Sequence, residues 1–266
     1  MNKVKILFFG DIVGAIGRKG LTAVLPKWIE KYSPDFIIGN VENLSHGRGI
    51  TPKTLRELDA LGFDAYTSGN HVWENELGVA CFGDPQWAGR LVRPANIKPG
   101  QPGMGYTILT KGKKSFVLLN LNGNLLMKEE GELPFTYFDK VAKENPDLPI
   151  FVDLHAEATS EKEAFGHYVD GRALAVIGTH THIPTADAKI LGQGTAYLTD
   201  VGRTGGHDSV VGFEKNPAIK RFLEPGSRAF DPQIKGSIEV NAALLTADLD
   251  KKQAISLQQL REILDK

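Results

Sequence analysis

The 266-residue chain has one cysteine, no excess of either charge and no apolar run long enough to cross a bilayer. Each shortage removes a class of protein. Cys81 alone cannot close an intrachain disulfide or build a thiolate zinc site, and its solitude fits a reducing compartment. The 31 basic and 32 acidic residues leave a formal charge of -1, so no global field recruits nucleic acid or anionic membrane. Phosphate recognition, where it occurs, has to be local. The N-terminal run KILFFG meets Asp11 far too early for a signal peptide or membrane span, which predicts a cytoplasmic protein with no membrane contact. Neither G-x-G-x-x-G nor G-K-[ST] is present, so dinucleotide and P-loop readings lack their fingerprint. No repeat, low-complexity tract or composition shift marks a linker, and 41% hydrophobic content suffices for one ordinary core. The expectation is one domain over residues 1–266.

What is present is an alternation of apolar strands and helical segments. KILFFGD reads as a buried strand, a loop with Gly14, Gly17 and Gly20 follows, and LTAVLPKWIEKY has helical periodicity that Pro26 would kink or shorten. PDFIIGNVEN is a second strand. A helix comes next, with Thr51 as N-cap, Pro52 at its first position and Gly62 beyond its end; FDAYTSGNH is a third strand. This β-loop-α order belongs to a parallel sheet. Downstream, GYTILT and KSFVLLNL form a hairpin, FTYFDKVAKEN a helix and PIFVDLHAEA a strand. Ser160 and Glu163 in SEKE make a capping box for a helix that Gly171 closes. ALAVIGTH, TADAKIL, TAYLTD and SIEVNAALLTADLD then suit a second, more antiparallel sheet. The fold class expected is α/β with two sheets.

Five of these strands end in potential metal ligands: Asp11; Glu42 with Asn43; Asn70 with His71; His155; and His180 with His182. In GTHTHIP, an extended backbone would send the rings of His180 and His182 off the same face. Any one of these groups alone could cap a turn or sit in solvent. Together they fall where open α/β sheets place their functional crevice, at the carboxyl ends of the strands. Oxygen and imidazole donors without thiolate suit iron, manganese or zinc. The set is large enough for two ions, and ions roughly 3.5 to 4 Å apart clamp phosphoryl oxygens and generate hydroxide near neutral pH. Phosphoester hydrolysis is the reaction class this donor set serves.

The order Asp11, Glu42, Gly69-Asn70-His71, His155, His180-Thr181-His182 resembles the calcineurin-like metallophosphoesterases. More closely, GDIVG, NVEN, GNHVW, DLHAEATSEKEA, GTHTHIPTAD and TDVGRTGGHDSVVG resemble the YmdB-like branch of cyclic-nucleotide phosphodiesterases, over residues 4 to 250. The broad superfamily opens with D-x-H where this chain has Asp11-Ile12-Val13, and has G-D-x-x-D where this chain has Gly39-Asn40-Val41-Glu42. The YmdB-like branch shares both departures. The resemblance implies a two-sheet β-sandwich flanked by helices, in four layers, αββα. It implies that Glu42 bridges two ions, with Asp11, Asn43 and His182 around the first and Asn70, His155 and His180 around the second. The ions would be iron or manganese, with zinc and magnesium as alternatives. An asparagine in place of histidine at the first ion should weaken its hold on metal.

The resemblance also makes His71 the proton donor, since a phosphodiester's alkoxide leaves poorly unless protonated. The implied reaction is in-line attack by a metal-bridging hydroxide on a cyclic nucleotide, 2',3' or 3',5', or another small phosphodiester. The alternatives are a phosphomonoesterase or nuclease of the same fold, or a metal-stabilised regulatory or scaffold protein. The near-neutral charge shows no extended nucleic-acid surface, and a homo-oligomer is compatible with everything above. His46, Arg48, Arg203 and His207 lie in glycine-rich loops that read first as surface and second as phosphate contacts. His167 reads as a structural residue of its helix.

Overall fold

The computed structural model describes residues 2–97, 100–128, 131–224, 226 and 231–265. The first half runs β1 (Lys3–Phe9), α1 (Gly14–Tyr32), β2 (Phe36–Asn40), α2 (Pro52–Asp59), β3 (Ala65–Thr67), a 3-10 turn (Asn70–Glu74) and α3 (Glu76–Cys81). The middle contributes β4 (Tyr106–Lys111), β5 (Lys114–Asn122), α4 (Pro134–Glu144), β6 (Ile150–His155), α5 (Thr159–Tyr168) and β7 (Ala175–Thr179). After these come β8 (Lys189–Ile190), β9 (Ala196–Leu198), β10 (Gly205–Gly206), α6 (Lys215–Leu223), β11 (Ile238–Asp248) and β12 (Gln253–Leu264).

Two six-stranded sheets face each other. The first has the order β10-β11-β1-β2-β3 with β12 beside β11, and the second β4-β5-β6-β7-β9-β8. Strands β1, β2 and β3 are mutually parallel, as are β5, β6, β7 and β9, so both sheets have a parallel core. Strand β1 is apolar on both faces because both are covered. Val4, Ile6 and Phe8 point to the other sheet, and Leu7 and Phe9 point to α1. Between the sheets Phe8 meets Phe151 at 5.4 Å and Phe36 meets Phe116 at 5.0 Å. Outside, Phe9 stacks on Trp28 of α1, while Phe138 of α4 and Phe165 of α5 cover Leu119 and Val152 of the second sheet. The layers are αββα, as expected.

Several local expectations are corrected. Gly14, Gly17 and Gly20 do not form a loop; they are the first turns of α1. A Cβ on Gly17 would collide with the Thr204 carbonyl, and one on Gly20 with Ile238 and Val240, so these glycines let the helix approach the sheet edge. Pro26 does not end the helix, since its missing donor falls on an exposed face. No capping box forms at Ser160: the helix starts earlier, behind Ala158, and its carboxylate work falls to Glu161, which accepts from Asn124 N and Leu125 N. Only the edge pairs β4–β5 and β8–β9 of the second sheet are antiparallel, and SIEVNAALLTADLD belongs to the first sheet, antiparallel to β1. Strand β12 was not foreseen. Thr51 does cap α2, with Thr54 completing the reciprocal pair.

Candidate active site

The parallel cores of both sheets end at one place. Asp11 follows β1, Glu42 and Asn43 follow β2, Asn70 and His71 open the 3-10 turn after β3, His155 ends β6, and His180 and His182 follow β7. Asp11, Glu42, Asn43, His155 and His182 are all buried. Glu42, His155 and His180 each offer a ligand atom within 4.8 Å of the others, and so do Asp11, Glu42 and His182, with Glu42 common to both groups. Asn43 joins the second group, its Oδ1 lying 3.1 Å from His182 Nε2, and Asn70 joins the first, its Oδ1 lying 3.1 Å from His155 Nε2.

The hydrogen bonds around this cluster turn its protons outward, and histidine tautomers follow from those partners. The Val211 carbonyl accepts from His182 Nδ1 at 2.7 Å, which leaves Nε2 with a lone pair toward Asn43 and Asp11. Asn43 spends its Nδ2 on the Gly47 carbonyl, so its oxygen faces in. Thr179 gives its hydroxyl proton to Asp153, so it accepts from His155 Nδ1 and leaves Nε2 to the site. Glu157 lies 3.1 Å from His180 Nε2 and takes that proton, leaving Nδ1 3.0 Å from His155 Nε2. Asp11 Oδ2 accepts from His180 N, but Asp11 Oδ1 is buried without a donor among the described residues. A buried cluster of acceptors facing one another is costly unless a cation sits among them. The donor set therefore fits one or two metal ions.

The electrostatics agree. Burial opposes charge on His155, but the carboxylates of Glu42 and Asp11 outweigh it and push this imidazole up to about 9. Burial also resists charge on Glu42, yet the neighbouring His155 holds its carboxyl below the usual range. Burial and the charge on His155 press His180 down to about 3, so it stays neutral. Without a metal, a proton on His155 is the positive charge the cluster retains.

The two histidines of GTHTHIP do not share a face. His180 and His182 have φ of 93° and 65°, left-handed values that send one ring to each ligand group. A buried ion pair imposes these turns. Lys162 Nζ donates to the Thr179 carbonyl at 2.7 Å and to Asp200 Oδ2 at 2.9 Å. Asp200 in turn accepts from Thr181 N, Thr181 Oγ1 and Gly202 N. Sequence reasoning missed both residues, although Asp200, just past β9, is a further acid at a strand end.

His71 sits at the mouth. Its N–H donates to Glu42 Oε2 at 3.2 Å, and its Nδ1 lies 2.6 Å from Glu74 Oε1. The other Glu74 oxygen accepts from Arg48 at 3.1 Å. Glu74, three residues on in the same 3-10 turn, was also missed. A cavity of about 290 Å³ opens here, walled by Arg48, His71, Glu157, Val211 and Phe213. Arg203 does not reach it: buried, it serves the carbonyls of His182 and Gly206. His207 pairs with Glu239, and His46 and His167 are exposed. Cys81 is buried and free.

Fold and site together define a hydrolase-like sandwich with a carboxylate-imidazole centre, and comparison gives that class a family. The chain belongs to the YmdB-like protein family, which it matches over residues 7–260. It is 41% identical over 261 residues to a 2',3'-cyclic-nucleotide 2'-phosphodiesterase of Bacillus subtilis, covering 97% of this chain and 96% of the relative. A crystal structure of a phosphatase from Mycoplasma pneumoniae superposes with a TM-score of 0.93 at 32% identity, covering 100% of this chain and 95% of that one. A 5'-nucleotidase from Candida albicans shares the architecture alone, with a TM-score of 0.55 at 12% identity over 98% of this chain and 51% of that one. Among the described residues no helix is long and apolar enough to cross a membrane.

Proposed function

We propose that this chain is a metal-dependent phosphodiesterase that opens cyclic nucleotides, acting as one cytoplasmic domain. The observation that carries the reading is the convergence of buried acceptors, with the orphaned Asp11 Oδ1 among them and the histidine protons turned away. Its B. subtilis relative is named for 2',3'-cyclic substrates, and the same ring chemistry is assigned to this chain. Asp11, Glu42, Asn43 and His182 would hold one ion, and Glu42, Asn70, His155 and His180 the other. The oxygen and imidazole donors suit iron or manganese, with zinc or magnesium as alternatives. When bound, the ions supply charge neutralisation at the phosphoryl oxygens and activation of water.

The chain's own residues do the rest. Glu74 accepts from His71 Nδ1–H and fixes the ring, so it is the imidazolium form whose Nε2–H would give a proton to the departing ribose oxygen, leaving a neutral ring still bonded to Glu74. The bond from His71 N–H to Glu42 ties this donor to the carboxylate shared by both ligand groups. The apolar wall of Val211 and Phe213 gives a base a surface on the other side of the crevice. The test is hydrolysis of 2',3'-cyclic AMP, 3',5'-cyclic AMP and AMP by manganese-reconstituted protein. Cleavage of cyclic diesters but not of AMP is expected. Turnover of AMP alone would make the chain a phosphomonoesterase, and turnover of none would reject an esterase role for these nucleotides.

A further inference from the structure

The apolar packing between the sheets stops one pleat short of the candidate centre. Alternate residues of a strand share a face, and on the inner face Asn40 follows Ile38 on β2, Asp153 follows Phe151 on β6 and Thr179 follows Ile177 on β7. All three polar residues are fully buried, so their polar atoms need partners from the protein itself. Those partners lie within this layer and on the segments that lead into the site.

The amide of Asn40 has one orientation that satisfies it. Its Oδ1 accepts from Glu42 N at 3.1 Å, so its Nδ2 donates, to the Ser68 carbonyl at 3.1 Å and to Asp153 Oδ2 at 2.9 Å. Asp153 Oδ1 accepts from the Thr179 hydroxyl at 2.7 Å, and Thr179 accepts in turn from His155 Nδ1 at 2.9 Å. The direction of every bond in this series is therefore set from its Asn40 end. One side chain of the first sheet governs the backbone entering Glu42, the segment that leads to Asn70 and, through two residues of the second sheet, the tautomer of His155. With His180, these are the side chains assigned above to the second ion.

We propose that Asn40, Asp153 and Thr179 are a positioning unit for the second ion: they keep the His155 proton on Nδ1 and hold Nε2 bare beside Glu42 and Asn70. The proposal deepens the metal-dependent reading and rests on its two ions.

Asp153→Asn tests it with almost no change of shape. Asn40 Nδ2 still needs an acceptor, so the new amide turns its oxygen there and its NH2 toward Thr179. The Thr179 hydroxyl then reverses and donates to His155 Nδ1, which puts the imidazole proton on Nε2, where the ion would bind. Returning that proton to Nδ1 leaves the buried hydroxyl without an acceptor. Thr179→Val removes the acceptor for Nδ1–H altogether, and Thr179→Ser keeps it.

Equilibrium dialysis against manganese, with metal analysis of the protein, reads the result. Wild type and Thr179→Ser should bind two ions per chain. In Asp153→Asn and Thr179→Val one dissociation constant should rise about 10–100-fold, the effect expected of groups that orient a ligand from behind, while the other keeps its wild-type value. Should Asp153→Asn fail to fold, Thr179→Val alone decides. A merely structural role would weaken both ions together, and that outcome overturns the proposal, as does wild-type affinity for both ions in either variant. Fewer than two ions on the wild-type chain overturns the proposal and the two-ion reading together. The counts do not depend on turnover, so the expected counts without any hydrolysis uphold the positioning unit and reject the phosphodiesterase reading alone.

Discussion

Lys162→Met removes one ammonium from beneath the candidate site while keeping most of the side chain's apolar stem. Lys162 is 1% exposed and Asp200 0%, so neither charge is served by bulk water. After the change Asp200 keeps Thr181 N, Thr181 Oγ1 and Gly202 N as donors but loses its counter-charge, and the Thr179 carbonyl loses its donor. Breaking one partner of a buried pair costs roughly 3–5 kcal/mol, and the three remaining donors place this case near 3. For a chain of this size that is a fall in Tm of about 6–12 °C. The assay is thermal unfolding at fixed, saturating metal, because bound ions shift Tm by mass action. Lys162→Met with Asp200→Asn should recover much of the loss, since the stranded charge is gone. A Tm for the single variant within about 2 °C of wild type would refute the claim that this pair holds the left-handed turns at His180 and His182.

Two further outcomes follow from the same geometry. His71→Ala should slow 2',3'-cyclic AMP hydrolysis by roughly 10²–10⁴-fold but an activated aryl diester far less, because only the alkoxide needs the proton; equal slowing of both rejects the proton-donor role. In chelator-treated protein, His155 is raised from 6.5 to about 9, so its contribution to stability is fully present below 6.5 and is lost as pH rises through 9. Thermal scans of the stripped protein should show Tm falling across that window, whereas metal-loaded protein, with His155 deprotonated in both limits, should not; a flat profile for the stripped form contradicts the assignment.

The strand ends were legible because a polar residue closing an apolar run stands out, and parallel strands bring such ends together. Asp11, Glu42 and His155 are of this kind. Nothing local reveals Lys162: a lysine in SEKEA reads as a solvated helix position, and only the approach of Thr179 and Asp200 makes it internal. The turns at His180 and His182 are likewise imposed from outside the segment, so an extended reading of GTHTHIP was the natural one. Gly17 and Gly20 were misplaced because a loop and a close helix-to-sheet approach both require a missing Cβ. Strand β12 escaped because it lies at a sheet edge with most residues exposed or half-buried, and QAISLQQLREIL lacks a strong apolar face. Glu74 was missed because three residues along an extended strand would carry it away from His71, and the 3-10 turn brings it back.

Stripping the protein with chelator and titrating manganese back, while following 2',3'-cyclic AMP hydrolysis and bound metal together, tests the proposal that the acceptor cluster holds two cations that the reaction needs. Activity absent at the start and rising to a plateau at two ions per chain is the predicted result. Hydrolysis by the stripped protein, or two ions bound without any turnover, would contradict it.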